Sequence, residues 1–355
     1  MIRFVLLITF FTSGSSCAQQ LWGSLTSGKH PVGFRVIREH DRSRDNRPML
    51  VSLWYPAKPS SSATTVLFKD YLASGVINSS FTPPTESEKT SAYDDFHHTM
   101  ERPFIANAEI PDTRFNILLE LPTAAKWNLA EADGNFPAVL MSTEPESLSV
   151  TAEYLASNGF VVAAVNAPYG GEQPPDSLLW IQPTKDMQWL LEYTKNLKNV
   201  DQSGINVMGF GGGIQSAFFL SMKSDVIRSI VNLEGGVFGP RSLTDRSRDY
   251  HPEKITAPML HIVTTDQQGE DDVRQQKALV NTLLYKALIQ HEGLHHHDFS
   301  IYGRALNKGV KMRGALGDIA DQTYATVHRM ILEFLVNTHS FTTTEKYMPF
   351  VRIAR

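Results

Sequence analysis

The 355-residue sequence predicts an α/β fold, a mostly parallel central sheet with helices on both faces. Three observations predict it. Short, wholly apolar runs alternate with stretches of helical spacing through the second half of the chain. Val207-Met208-Gly209-Phe210-Gly211-Gly212-Gly213 reads as a strand, a glycine-rich turn and the start of a helix. Gly211, Glu234, Asp266 and His296 fall at or just beyond the C-terminal ends of predicted strands, where open α/β sheets bind ligands.

The elements follow in order. Arg3 and the apolar run 4–11, too short to span a bilayer, read as an export signal over 1–18, with cleavage at Ser16-Cys17-Ala18. This predicts periplasmic release or secretion; the ordinary alternative is a buried N-terminal strand. Cys17 is the only cysteine, so no internal disulfide forms. Gly14-Ser15-Ser16-Cys17 is also a loose lipoprotein signal, with Gly14 where an aliphatic residue is usual. Acylation of Cys17 would place the protein on a membrane surface, the one route to a membrane that the sequence offers. Residues 19–355 read as a single domain.

Residues 33–38 and 50–55 read as strands, separated by a charged turn. From 58 to about 114 periodicity fades and Ser, Thr and Pro accumulate, which predicts an insertion. It either caps the site or lies on the surface. Then the alternation begins: strand 137–142, helix 150–157, strand 160–166, helix 185–195, strand 205–208, helix 214–222, strands 227–233 and 259–264, helix 275–285, strand 287–291, helix 319–337. With 42% apolar and 20% charged residues the chain can build a large core, and a net charge of −4 gives no electrostatic reason to bind nucleic acid.

The glycine-rich turn has the form of a nucleophile elbow, G-x-S-x-G, which exposes a serine between a strand and a helix. Here the middle residue is Gly211, which has no nucleophile. A catalytic base in such a site lies late in the chain, and Gly293-Leu294-His295-His296-His297-Asp298-Phe299 offers three histidines there. The acid to orient it is Glu234, at the end of one strand, with Asp266, at the end of the next, as the alternative. The oxyanion donors would be the backbone amide of Gly212 and an amide from the turn 143–147, beginning at Thr143. Glu144 and Glu146 in that turn would oppose developing negative charge if they point inward; facing solvent they would not.

Three blocks carry a resemblance: Val32-Gly33-Phe34 with Arg47-Pro48 and Val51-Ser52-Leu53-Trp54-Tyr55-Pro56-Ala57; Phe136-Pro137-Ala138-Val139; and the run from Tyr154 to Ala163, YLASNGFVVA. Together they resemble the platelet-activating-factor acetylhydrolase and dienelactone-hydrolase branch of the α/β-hydrolases, over about 33–337 apart from 58–114. The resemblance implies an α/β-hydrolase fold; the insertion at 58–114, which it does not cover, is expected to be a capping insertion. It implies His296 as the base, because the family ending G-x-x-H-x-[DN]-F falls on Gly293, His296, Asp298 and Phe299. It implies Glu234 as the acid, in place of the family aspartate, and Gly211 where the family has its serine.

Three functions follow as expectations. A pseudo-hydrolase would bind a small ester or acyl-bearing ligand with little turnover, since loss of the nucleophile removes nearly all triad catalysis. An active hydrolase would use a water activated by His296 and Glu234, or another hydroxyl such as Ser142 or Ser216. A zinc hydrolase would use His291-Glu292-Gly293-Leu294-His295, which matches H-E-x-x-H but lacks the helix that motif requires. The first is the preferred expectation, with no cofactor and no metal; the sequence names no protein partner.

Overall fold

The computed structural model describes residues 17–166, 181–235, 247–264, 279–290, 294–341 and 351–354. Its eleven strands form one sheet in the order β11-β10-β9-β8-β7-β5-β6-β2-β1-β4-β3. The middle six are parallel: β6 (Val161–Asn166), β5 (Phe136–Ser142), β7 (Val200–Phe210), β8 (Ile227–Leu233), β9 (Met259–Thr264) and β10 (Leu284–Ile289). Beyond β6, β2 (Arg47–Pro56) runs antiparallel to it and to β1 (Val32–Asp41). At the far edges lie β4 (Pro122–Trp127) with β3 (Thr65–Leu67), and β11 (Val351–Ala354).

Strand side chains alternate between faces, so each parallel strand feeds two cores. On β5, Val139 and Met141 enter one cluster while Ala138 and Leu140 enter the other. The first cluster is roofed by α4 (Ser149–Ser157) and the long C-terminal helix Gly314–Val336, the second by α5 (Ile181–Lys195) and α6 (Ile214–Lys223). No helix among the described residues is long and apolar enough to cross a membrane.

Most predicted strands and helices lie where expected, displaced by a few residues at their ends. One prediction is corrected. Leu284 and Tyr285, placed in a helix over 275–285, open β10; residues 275–278 lie outside the described residues. Burial along β10 alternates strictly, the period of a strand rather than of a helix. The insertion is also more ordered than its composition suggests, holding β3, α1 (Phe68–Ser74), α2 (Glu86–Glu101) and α3 (Asp112–Leu119). Helix α2 starts on a capping box: Thr85 Oγ1 accepts from the Glu88 amide at 3.3 Å, and the Thr85 amide donates to Glu88 Oε2 at 2.7 Å.

A buried carboxylate ties the insertion and the chain start to this core. Glu153 on α4 accepts from Trp22 Nε1 at 2.7 Å, from Tyr71 of α1 at 2.5 Å and from the Ala125 amide at 3.2 Å. Trp22 belongs to a 3-10 turn, Cys17–Trp22. Residues 1–16, and with them the predicted signal core, lie outside the described residues.

Candidate active site

At the end of β7 the chain makes a 3-10 turn, Gly211–Gly213, and enters α6. The glycines meet different constraints. A Cβ on Gly213 would stand 1.8 Å from the Ser142 carbonyl oxygen, and one on Gly209 2.3 Å from Ile214 Cα, so strand, turn and helix close only without side chains there. Around Gly212 nothing stands within 4 Å of such an atom. Gly211 has φ +54°, and its Cβ would point at His296, 3.0 Å from Cε1 and 3.1 Å from Nε2.

His296 opens a 3-10 turn, His296–Phe299, and its ring stacks on Phe210 with centroids 4.3 Å apart. The ring edge opposite the elbow faces the acid: Nδ1 lies 3.9 Å from Glu234 Oε2, a contact longer than a hydrogen bond. Glu234 is buried, accepts from the backbone amide of Thr264, and accepts from Thr264 Oγ1 at 3.0 Å. Its own amide donates to the Ile262 carbonyl at 2.8 Å and its φ is +54°, a strained value for a residue with a Cβ. Gly211, His296 and Glu234 thus converge, with the imidazole between the glycine and the carboxylate. Asp266, His291 and Glu292 lie outside the described residues.

The neighbouring histidines do other things. His295 is exposed and extended (φ −128°, ψ 169°), not helical, and its amide donates to Asp298 Oδ2 at 2.9 Å. Asp298 also pairs with Arg313, which fastens the turn carrying His296 to the start of the C-terminal helix. His297 packs edge-on to Tyr302 at 5.8 Å and beside Phe104 at 5.4 Å. Burial, with His296 and His295 nearby, pushes its imidazole down to about 4. Among the described residues no three His, Cys, Asp or Glu side chains are grouped to hold a metal ion.

A cavity of about 730 Å³ opens over the C-terminal ends of β5, β6 and β7. Gly211, Gly212, Thr143 and His296 all line it. Ser142 and Ser216 line it too, but both hydroxyls donate to the Gly213 carbonyl, at 2.7 and 3.0 Å, and lie 2.5 Å from each other. They brace the elbow rather than face a substrate. In the turn 143–147 the two carboxylates part: Glu144 is exposed, while Glu146 lines the cavity with Oε2 buried and without a hydrogen-bond partner. Burial, with Glu144 adding repulsion, pushes its carboxyl up to about 7. The order of residues could not show which carboxylate turns inward.

The insertion reaches the rim of this cavity. Asn166 Nδ2 donates to the Gly75 carbonyl at the end of α1 at 2.7 Å, and Phe96 of α2 stacks on Tyr302 at 4.8 Å. Tyr302 lines the cavity.

No family model matches the chain, and no curated protein matches it. Among solved structures it is similar to a ferulic acid esterase from Streptomyces cinnamoneus, with TM-score 0.65 and 16% identity over 94% of this chain and 99% of that one. It is also similar to an acylaminoacyl peptidase from Pyrococcus horikoshii, with TM-score 0.48 and 10% identity over 90% of this chain and 44% of the other. Together with the parallel sheet and its elbow, the first of these likenesses shows that the chain has an α/β-hydrolase fold.

Proposed function

We propose that the protein is an exported pseudo-hydrolase of the ester-hydrolase lineage, in the platelet-activating-factor acetylhydrolase and dienelactone-hydrolase branch. It binds an acyl-bearing small molecule in the cavity, and Gly211 stands where a catalytic serine would. One observation carries this. A side chain at position 211 would start 3.1 Å from His296 Nε2, while Nδ1 of the same ring faces Glu234. That is the order nucleophile, base, acid. Without a hydroxyl at 211, no acyl-enzyme forms there.

The exposed face of His296 favours a second reading, turnover by activated water. Its side chain is 28% exposed, and position 211 puts no atom in front of Nε2. In that reading Nε2 takes a proton from water, the water oxygen attacks the acyl carbon, and the imidazolium returns the proton to the leaving alkoxide.

Hydrolysis of p-nitrophenyl acetate by the wild type, Gly211→Ser and His296→Ala separates the two. The pseudo-hydrolase predicts a wild type at the buffer rate and a gain of roughly 10²-fold or more in Gly211→Ser, a modest part of what a full triad supplies. A wild-type rate abolished by His296→Ala would overturn it in favour of water activation.

A further inference from the structure

We infer that the ligand of this cavity carries a cationic primary amine, which the Glu146 carboxylate receives. The inference rests on the cavity being the ligand site, as proposed above. Three charged residues line the cavity among those described, Glu144, Glu146 and Asp186, and no lysine or arginine does. Two of the three are already answered. Asp186 is bridged by Arg47 through Nε and Nη2, both at 3.0 Å, and by Arg44 Nη1 at 2.7 Å. Glu144 is exposed and accepts from Thr143 Oγ1 at 3.2 Å.

Glu146 is different. Its Oε2 is buried without a partner, beside Gly75, whose added Cβ would stand 3.0 Å from that oxygen. A carboxylate oxygen held in this way has lost water and gained no counter-charge, which costs free energy until a cation neutralises the group. His297 and Tyr302, which share its surroundings, do not supply one. His297 is pushed down to about 4 and is neutral at pH 7; Tyr302 is pushed up to about 12 and stays a phenol.

The backbone of the loop points the same way. Esterase chemistry needs N–H donors converging where an oxyanion develops. Here Pro145 has no N–H, and Glu146 follows it. The loop therefore disfavours an anionic ligand and favours one whose positive charge neutralises Glu146.

The test is titration of the wild-type protein at pH 8 with two amides of equal shape, N-(2-aminoethyl)benzamide and N-propylbenzamide, followed by ligand-observed NMR. The cationic amide is expected to bind about tenfold more tightly, the effect of one hydrogen-bonded charge pair in a partly desolvated site. Glu146→Gln, nearly isosteric, should bring the two affinities together without weakening the neutral amide, and Glu144→Gln should preserve the difference. Equal wild-type affinities, or a preference that survives Glu146→Gln, would overturn the inference and leave the cavity as an acyl-ligand site. Absence of saturable binding by either amide, with Gly211→Ser also inert toward p-nitrophenyl acetate, would overturn both.

Discussion

The two walls of the cavity differ in kind. On the elbow wall, position 211, His296 and Glu234 stand in the order of a nucleophile, a base and an acid, and position 211 carries no side chain. The backbone there remains as demanding as in a working elbow: Gly209 and Gly213 admit no Cβ, and Glu234 holds a positive φ. On the loop wall, 143–147, Pro145 offers no donor and one carboxylate oxygen of Glu146, Oε2, is buried without a partner. Absence of a hydroxyl is neutral for stability, whereas an unpartnered buried oxygen is not. The elbow wall therefore bears on the turnover proposed for the site, and the loop wall on the ligand proposed for it.

The sharpest way to break this contrast is Gly213→Ala. An atom 1.8 Å from the Ser142 carbonyl oxygen forces β5 and α6 apart, and a loss of roughly 3 kcal/mol or more is expected in chemical denaturation. A loss below ~1 kcal/mol would mean that the elbow is not rigid.

Next comes Glu146→Gln. With the folded carboxyl pushed up to about 7 against an ordinary 4.5, the unfolded chain loses its proton first as pH rises. Wild-type stability attributable to this group therefore falls between pH 4.5 and 7. The variant should match the wild type near pH 4 and exceed it at pH 8 by roughly 1–3 kcal/mol, the scale of an unsatisfied buried polar group. The groups around it that titrate or carry charge are Glu144, Tyr302, His296 and His297, with the exposed Arg102 acting on Tyr302; His297, pushed down to about 4, is neutral at pH 8. An advantage for the variant at pH 4 that vanishes at pH 8 would reverse the assignment. Smallest is Gly212→Ala. Nothing lies near its Cβ, so a stability change within about 0.5 kcal/mol is expected.

Much of the elbow wall was legible in the sequence because its physics is local. A glycine on each side of a tight strand–helix turn is a steric demand that leaves a written trace. Strands β5 and β6 were legible because they are largely buried and almost wholly apolar. The choice among His295, His296 and His297 was not readable from position alone; it needed the family ending, and the structure places only the His296 ring against Gly211. Helix α2 was missed because just two of its sixteen residues, Phe96 and Met100, are buried, too few to mark a face. Its one clear signal was Thr85-Glu86-Ser87-Glu88, a capping box hidden in a Ser/Thr/Pro-rich stretch. The inward turn of Glu146 had no trace, since polar residues in a turn do not record which of them the fold will bury.

In the proposed pseudo-hydrolase, position 211 is placed to present a nucleophile to His296. Treating the wild type, Gly211→Ser and the double variant Gly211→Ser/His296→Ala with a fluorophosphonate, and locating the adduct by peptide mass spectrometry, tests that placement. One adduct is expected at position 211 in Gly211→Ser, none in the wild type, and labelling slowed by roughly 10³-fold in the double variant, because the alkoxide is generated by the imidazole. A folded Gly211→Ser that stays unlabelled, or that labels at the same rate without His296, would contradict it.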